Sequence, residues 1–228
     1  MRLTKYEHAE MVLEVADQRI IIDPGSFSLP LGDIGDVVAV IITHEHGDHW
    51  TREQLDRIIE RNPEAAIYGP PGVVAAAADY DVTAVKDGDV IEAGPFTLAF
   101  YGEKHAVIHS SIPVIDNVGV LVNDRLYYPG DSFTVPPVAV DTLAAPVGAP
   151  WLKISEAMDF VLAVAPRRAI PVHEMVLSVA GKGLSNQRLS WAESRAAEST
   201  SCSSRASRST SSTSPGAAAG RCHPLSRA

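Results

Sequence analysis

Short apolar runs separated by turn residues are the main pattern along this chain. Alternating or β-branched runs of this length predict strands. In the first half they lie at 2–6, 11–15, 19–22, 37–43, 66–68, 82–85, 90–92 and 96–101, and in the second half at 118–122, 126–128, 142–145 and 169–172. The run at 37–43 is apolar or β-branched throughout, which is typical of a strand buried on both faces.

Helical segments lie between these strands. Thr51 and Gln54 have the spacing of a capping box, and the helix that they open is predicted to end near Glu60, before Asn62 and Pro63. Further helices are predicted at 71–78 and 155–165. Strands of mixed type with helices between them favour an α+β protein in which sheet layers pack inside helix layers.

The composition changes at about Trp191. Beyond it Ser, Ala and Arg dominate, and Leu225 is the one large aliphatic side chain. Such a segment buries too little apolar surface to offset its conformational entropy, so residues 191–228 are predicted to be a disordered tail and residues 1–190 a single domain. A second interpretation of the abrupt change is that the segment is translated from a shifted reading frame and replaces a normal C-terminal element.

Length, charge and cysteine positions narrow the class of protein. A chain of 228 residues with 46% hydrophobic residues is sufficient for one globular domain. The formal charge of −9 is opposite in sign to that of a nucleic-acid-binding surface, and the apolar runs are shorter than a membrane span. The N-terminal sequence lacks a signal-peptide pattern, and Cys202 and Cys222 both lie in the tail. These observations predict a cytoplasmic protein without nucleic-acid or membrane partners.

A cluster of metal-capable side chains follows the strand at 37–43. His44, His46, Asp48 and His49 fall within six residues, where titratable groups repel or are costly to desolvate unless a cation compensates them. The side chains of alternate residues in an extended segment point to the same side, so His44, His46 and Asp48 are expected to converge there. His49, at the turn into the helix, is expected to point to a neighbouring position. Imidazole and carboxylate ligands suit zinc and iron. The cluster therefore predicts a metal site at the rim of a sheet.

The spacing His-x-His-x-Asp-His resembles the signature of the metallo-β-lactamase fold superfamily, and the resemblance extends over residues 1–190. It implies a four-layer αββα sandwich with metals at one edge, between the two sheets. The family's later His, Asp and His ligands match His105, Asp131 and His173, each of which follows a predicted strand. The style of the sequence resembles the lactonase-like branch of metal-dependent hydrolases.

The resemblance also implies how the ligands divide. His44, His46 and His105 would hold one divalent ion, Asp48, His49 and His173 a second, and Asp131 would bridge them. Zinc is the expected metal, with iron or manganese as alternatives. His109 competes with His105, although the strand end near residue 101 favours His105. A turn-capping role is the alternative for Asp131.

Three further residues are candidates for substrate binding. His8 matches an N-terminal histidine that lies near the site in the lactonase-like branch, and a structural histidine is an equal alternative. Trp151 and Lys153 follow a strand on the metal-bearing rim, where a tryptophan that covers the core is the alternative. Asp23 is expected either to orient a ligand histidine or to serve the turn at Pro24.

The implied reaction is hydrolysis of a small-molecule lactone, ester or phosphodiester by a metal-bound hydroxide. Asp48 is the expected catalytic residue, because it would bind one ion and orient the hydroxide. An iron-dependent redox enzyme of the same fold and a metal-binding protein without catalytic activity are the alternatives. Metal identity separates the first alternative from the hydrolase, and turnover separates the second. The sequence leaves the oligomeric state open.

Overall fold

Two six-stranded sheets form the centre of the molecule. The computed structural model describes the backbone of residues 1–209 and the side chains of residues 1–198. The first sheet comprises, in spatial order, β1 (Arg2–Lys5), β2 (Met11–Val15), β3 (Gln18–Ile22), β4 (Val37–Ile41), β5 (Ala66–Gly69) and β6 (Val82–Ala84). Neighbouring strands pair antiparallel from β1 to β3 and parallel from β3 to β6.

The second sheet contains the later strands, and its spatial order runs from β12 to β7. The strands are β7 (Val90–Ala93), β8 (Phe96–Tyr101), β9 (Gly119–Val122), β10 (Leu126–Tyr128), β11 (Thr142–Pro146) and β12 (Arg168–Val172). Pairing is antiparallel from β7 to β10 and parallel from β10 to β12. Each sheet thus combines an antiparallel part with a parallel part.

Within the described residues, four helices cover the outer faces of the sheets. They are α1 (Arg52–Arg61), α2 (Pro71–Ala76), α3 (Ile154–Val164) and α4 (Val179–Ser209). Thr51 caps α1 as predicted, because its side chain accepts a hydrogen bond from the Gln54 N–H at 3.2 Å. The first sheet packs against α1 and α2, and the second packs against α3 and α4.

The apolar core has three parts because both faces of each sheet are buried. Between the sheets, Ile41 of β4 and Phe100 of β8 belong to one cluster. The other face of β4, at Val40, packs with α1, and Leu143 of β11 packs with Phe160 of α3 on the far side. The molecule is therefore a four-layer αββα sandwich, and the predicted fold class is confirmed. The double burial of β4 explains why its sequence does not alternate.

The C-terminal region differs from the prediction. Helix α4 crosses the expected boundary at residue 190, and Ala192 and Ala196 are buried. The prediction of disorder from residue 191 is therefore wrong for residues 191–198. These residues are helical because alanine favours helix and because small side chains four residues apart allow close packing. Residues 210–228 of the predicted tail lie outside the described residues, and the shifted reading frame stays a hypothesis. Among the described helices, α4 included, none is long and apolar enough to cross a membrane.

Candidate metal centre

The predicted ligand residues converge at one edge of the sandwich, in segments that follow strands. The first sheet contributes the loop between β4 and α1, and the second contributes the segments after β8, β10 and β12. The seven side chains are His44, His46, Asp48, His49, His105, Asp131 and His173. They form overlapping groups in which one potential ligand atom per residue lies within 4.8 Å of the others.

The first group contains His44, His46 and His105. His44 Nε2 lies 3.1 Å from His46 Nδ1, and the ring centroids of His44 and His105 are 5.0 Å apart. His44 and His105 are buried, whereas His46 is partly exposed. Three imidazole nitrogens at this spacing are a donor set that suits zinc or iron.

The second group contains Asp48, His49 and His173, together with His8. Its centre is Asp48 Oδ2, which lies 3.1 Å from His8 Nε2, 3.3 Å from His173 Nε2 and 3.8 Å from His49 Nε2. The three histidines are buried and Asp48 is partly exposed. This group therefore has a carboxylate that water can reach, surrounded by imidazoles that water cannot reach.

Asp131 lies between the two groups. Its Oδ1 is 3.4 Å from His49 Nε2, and its Oδ2 is 3.4 Å from His105 Nε2 and 3.1 Å from His173 Nε2. His105 belongs to the first group and the other two histidines belong to the second. The position of Asp131 matches that of a bridging carboxylate, and a turn cap alone does not account for these contacts.

Several nitrogen and oxygen atoms that could bind a metal at this edge are buried without a hydrogen-bond partner. They are Nε2 of His49, His105 and His173, and Oδ1 of Asp131. Close approaches of about the length of a hydrogen bond exist among them, but they lack hydrogen-bonding geometry. A buried polar atom without a partner costs free energy, and a cation bound among these atoms removes that cost. The donor set therefore fits a metal site.

Backbone carbonyl groups orient two of the histidines. His105 Nδ1 is hydrogen-bonded to the carbonyl oxygen of Ala106, and His173 Nδ1 to that of Gly148. A carbonyl oxygen only accepts, so Nδ1 carries the proton in each ring. In the neutral ring, Nε2 then has a free lone pair that points into the cluster.

Asp23 orients His49 and holds the first-sheet loop in place. Its Oδ2 accepts hydrogen bonds from His49 Nδ1 at 2.7 Å, from the Thr43 hydroxyl at 2.7 Å and from the Tyr128 hydroxyl at 2.9 Å. Its Oδ1 accepts the Thr43 N–H at 2.8 Å. Because its hydroxyl proton points to Asp23, Thr43 Oγ1 accepts from His44 Nδ1 at 3.1 Å. Of the two expected roles of Asp23, the structure shows the orienting one.

We expect Asp23→Asn to weaken metal binding while the protein still folds. The amide has the same volume as the carboxylate, but one of its two acceptor oxygens becomes an NH2 donor. The asparagine therefore cannot accept all four hydrogen bonds, and His49 is no longer held in a fixed orientation. Metal affinity should fall by roughly 10–100-fold, the usual cost of losing such an orienting carboxylate. Competition with a chromophoric chelator measures the change, and Asp17→Asn in the exposed β2–β3 turn is the matched control. An unchanged affinity would contradict the orienting role.

Two glycines allow the loops to approach closely. Gly130, with φ +64°, precedes Asp131, and a Cβ there would overlap Asn117 Oδ1, which accepts the Asp131 N–H at 2.9 Å. A Cβ at Gly25 would overlap the backbone carbonyl of Asp48. The backbone at both positions therefore fixes the place of a candidate ligand.

The two carboxylates of the cluster are held ionised. Burial alone raises the pKa of Asp48, but His173 and His8 outweigh it and hold the pKa well below its usual range. Burial likewise raises the pKa of Asp131, and His49, His105 and His173 together bring it far below the usual value. Both side chains thus carry negative charge at neutral pH.

The histidines divide into neutral and charged rings. Burial lowers the pKa of His44, and the neighbouring His49 lowers it further. Burial also lowers the pKa of His49, but Asp131 and Asp23 outweigh this effect and raise it. For His173, Asp131 and Asp48 outweigh burial and raise the pKa to about 10. In the metal-free protein, protons on these rings therefore neutralise the carboxylates. Metal binding must displace those protons.

The metal-free protein should lose stability as the pH rises from about 6.5 to about 10, the ordinary and the folded-state pKa of His173. Because the folded protein holds this proton more tightly than the unfolded chain does, the protonated ring contributes fully to the free energy of unfolding below pH 6.5. That contribution is lost as the pH rises through about 10. The loss should reach a few kcal/mol at most, since about 1.4 kcal/mol corresponds to one pKa unit. Thermal unfolding of chelator-treated protein over this range measures it. The metal-loaded protein is the control, and an equally steep dependence there would contradict the assignment.

The remaining candidates lie around the cluster. The Trp151 indole N–H donates to Asp131 Oδ2 at 2.9 Å, and the ring meets His105 edge-on at 5.9 Å between centroids. Lys153 is exposed and forms an ion pair with Glu156 at 3.7 Å. His109 is exposed and hydrogen-bonds to Ser111, outside the groups described above.

Four groups that support the site could not be predicted from the sequence. They are the Tyr128 hydroxyl, the Thr43 hydroxyl, the Asn117 amide and the Gly148 carbonyl. Thr43 ends an apolar run and Tyr128 lies inside a predicted strand, so packing is a sufficient explanation for both residues in the sequence alone. Their contacts depend on pairing between segments that are distant in the chain.

The sequence model of a protein family, the Beta-lactamase superfamily domain, matches residues 2–173 of this chain. This range contains all seven candidate ligands. The chain belongs to this superfamily. The resemblance to the metallo-β-lactamase fold in the sequence is thereby confirmed, in agreement with the αββα layers. Membership establishes the fold, and the cluster of histidines and aspartates at its edge fits a site for divalent metal.

Several known proteins are similar to this chain over most of its length. Protein Rv0786c of Mycobacterium tuberculosis is 40% identical over 194 residues, which are 83% of this chain and 91% of that protein. A proposed metal-dependent hydrolase of Parabacteroides distasonis has a TM-score of 0.64 at 18% identity, covering 82% of this chain and 87% of that one. CmlA, a diiron β-hydroxylase of Streptomyces venezuelae, has a TM-score of 0.58 at 18% identity, covering 75% of this chain and 44% of that one. The two structural likenesses show a shared fold.

Proposed function

We propose that this protein is a metal-dependent hydrolase that uses two divalent ions to cleave a small-molecule lactone, ester or phosphodiester. The observation that carries the proposal is the set of buried, unpartnered donor atoms on His49, His105, Asp131 and His173 at one edge of the sandwich. Similarity in fold to a proposed metal-dependent hydrolase supports it. The formal charge of −9 disfavours nucleic acid or an anionic membrane surface as a partner and so supports a small-molecule substrate. We assign the protein to the cytoplasm.

The grouping of donors suggests two metal positions. His44, His46 and His105 would hold the first ion, Asp48, His49 and His173 would hold the second, and Asp131, whose oxygens lie near histidines of both groups, would contribute to both. Zinc is the first candidate because imidazole nitrogens dominate both positions, and iron and manganese are the alternatives.

Bound there, two divalent ions supply Lewis-acid polarisation of the scissile group and lower the pKa of a water molecule. The protein positions the reactants and accepts protons. The contacts of Asp48 with His8, His49 and His173 all use Oδ2. Its ionised Oδ1 is therefore free to accept a hydrogen bond from the attacking water, which gives Asp48 its catalytic role.

A cavity of about 410 Å³ beside the cluster provides a place for the substrate. Its lining combines apolar side chains, among them Val107, Phe133 and Trp151, with the charged side chains of Lys153 and Glu156. This volume suits a small molecule with an apolar group. Lys153, whose side chain is 80% exposed at the same cavity, is assigned to an anionic group of the substrate.

An iron-dependent redox enzyme is the second candidate. The donor types suit iron as well as zinc, and a diiron β-hydroxylase has a similar fold. Metal identity and the type of reaction separate the two candidates.

The test is elemental analysis of the purified full-length protein, followed by a screen of lactones, esters and phosphodiesters. About two zinc ions per chain and turnover of one of these classes are the expected results. Chelator-treated protein and the same protein with zinc restored are the controls. Iron without hydrolysis would favour the redox enzyme, and metal without turnover would favour a non-catalytic metal-binding protein. A folded protein that binds no metal would refute both enzymes.

A further inference from the structure

His8 is fully buried in the segment between β1 and β2, and its backbone is fixed on both sides. Its N–H donates to Glu174 Oε1 at 3.2 Å, and its carbonyl oxygen accepts the His173 N–H at 2.9 Å. Lys5 holds the same Glu174 oxygen at 2.7 Å. Both His8 and His173 adopt positive φ, at 55° and 62°. The N-terminal segment is therefore attached directly to the segment that carries a candidate ligand.

The side-chain contacts of His8 determine which ring nitrogen carries the proton. Nδ1 lies 3.3 Å from the backbone nitrogen of Met175, whose N–H donates to it. A backbone N–H cannot accept, so Nδ1 is the unprotonated nitrogen of a neutral ring. Nε2 then carries the hydrogen, and it lies 3.1 Å from Asp48 Oδ2. His8 therefore donates to Asp48.

A role for His8 as a fourth metal ligand conflicts with this arrangement. Its Nε2 lies close enough to the donor atoms of Asp48, His49 and His173 to share an ion with them. Ligation requires a lone pair on Nε2, which moves the hydrogen to Nδ1. Two N–H groups would then face each other at Met175. The distance permits ligation, but the hydrogen-bond pattern opposes it.

Direct contact of His8 with substrate conflicts with its burial. The ring has no exposed surface and lies between Phe27, at 5.0 Å, and His173, at 4.0 Å between ring centroids. Its polar atoms are both occupied, one by Met175 and one by Asp48. Of the two expectations from the sequence, a histidine in the interior fits better than a substrate-binding one.

We propose that His8 is a positioning residue that donates from Nε2 to Asp48 Oδ2 and so directs Oδ1 of Asp48 towards the reacting water. This inference rests on the proposed hydrolase. By this inference the second ion would be held by Asp48, His49, His173 and Asp131, without a ligand from His8.

The first test reads the hydrogen position directly. Isotope-labelled protein is examined by long-range nitrogen–proton NMR spectra of the histidine rings, before and after zinc is added. His8 should show the form with hydrogen on Nε2 in both states. A change to hydrogen on Nδ1 when zinc is added would identify His8 as a ligand and overturn the proposal, while the hydrolase would stand.

The second test compares two substitutions. His8→Gln retains an N–H donor at about the reach of Nε2, whereas His8→Leu removes it. The leucine variant should bind metal roughly 10–100-fold more weakly, the range for groups that orient a ligand. The glutamine variant should stay within about tenfold of the wild type, since its amide replaces the donor but cannot replace an imidazole ligand. His109→Gln and His109→Leu, at an exposed histidine outside the cluster, are the matched controls.

The outcomes separate the possible roles. Equal loss of metal affinity in both His8 variants would indicate a ligand, and unchanged affinity in both would indicate a purely structural residue; either result overturns the proposal. Thermal unfolding of each metal-free variant shows whether the domain itself is weakened. Failure of the wild-type protein to bind zinc, iron or manganese would overturn the proposed function and this inference with it. If the wild-type protein binds metal normally but the two His8 variants do not show the expected metal affinities, the inference alone is overturned.

Discussion

Asp131→Asn should reduce the bound metal from about two ions to about one per chain and lower kcat/KM by at least ~10²–10³-fold. Asp131 lies between the two donor groups, with its two oxygens towards different histidines. An amide retains the volume and one oxygen but loses the charge that a bridging ligand needs. Elemental analysis and steady-state kinetics on the substrate found in the screen measure the two effects.

Asp17→Asn is the matched control for this substitution. Asp17 lies in the exposed turn between β2 and β3 and has φ 64°, which asparagine tolerates. It should retain the metal content and kinetics of the wild type. Full activity with two ions in Asp131→Asn would show that the carboxylate does not bridge, and the assignment of the two positions would have to be revised.

Removal of the metal should lower the thermal stability of the protein strongly. Ions held by side chains from both sheets bind the folded chain and not the unfolded one, so at about 1,000 times the dissociation constant they contribute ~4 kcal/mol. For a domain of this size that corresponds to a fall in Tm of about 8–16 °C. Differential scanning calorimetry with and without a chelator measures it.

The control for metal removal is the same chelator saturated with zinc beforehand, which should leave Tm unchanged. Asp131→Asn should show a smaller fall with free chelator, because it begins with less bound metal. An equal Tm for loaded and chelated wild-type protein would contradict metal binding between the sheets.

The sequence predicted the fold well where the pattern of a single segment determines the structure. The apolar run before His44 predicted a strand buried on both faces, and β4 contacts both the inter-sheet core and the α1 layer. The capping spacing at Thr51 predicted the start of α1. The tail was predicted less well, because a count of large apolar side chains overlooks alanines such as Ala192 that pack at close range.

The candidate site was predictable in its donor types but not in its supporting contacts. Clustered histidines before a helix are visible in one segment, and the resemblance supplied His105, Asp131 and His173. The ambiguity of Asp23 could be resolved only by the pairing that brings Tyr128 and His49 to it. Trp151 was expected at the substrate, and the structure shows that its indole also donates to Asp131. Such contacts depend on three-dimensional neighbours and not on spacing along the chain.

The division of the donors between the sheets has a consequence for biosynthesis. A nascent chain that has emerged only as far as β6 exposes His44, His46, Asp48 and His49 without their partners from the second sheet. The backbone bond from His173 to His8 cannot form until β12 has left the ribosome. In the proposed metal centre, the full set of ligand side chains is therefore assembled only late in synthesis, after His173 has emerged. If the protein binds metal as proposed, an interrupted chain would hold it only weakly, and retention of metal would mark chains that have been completed and folded.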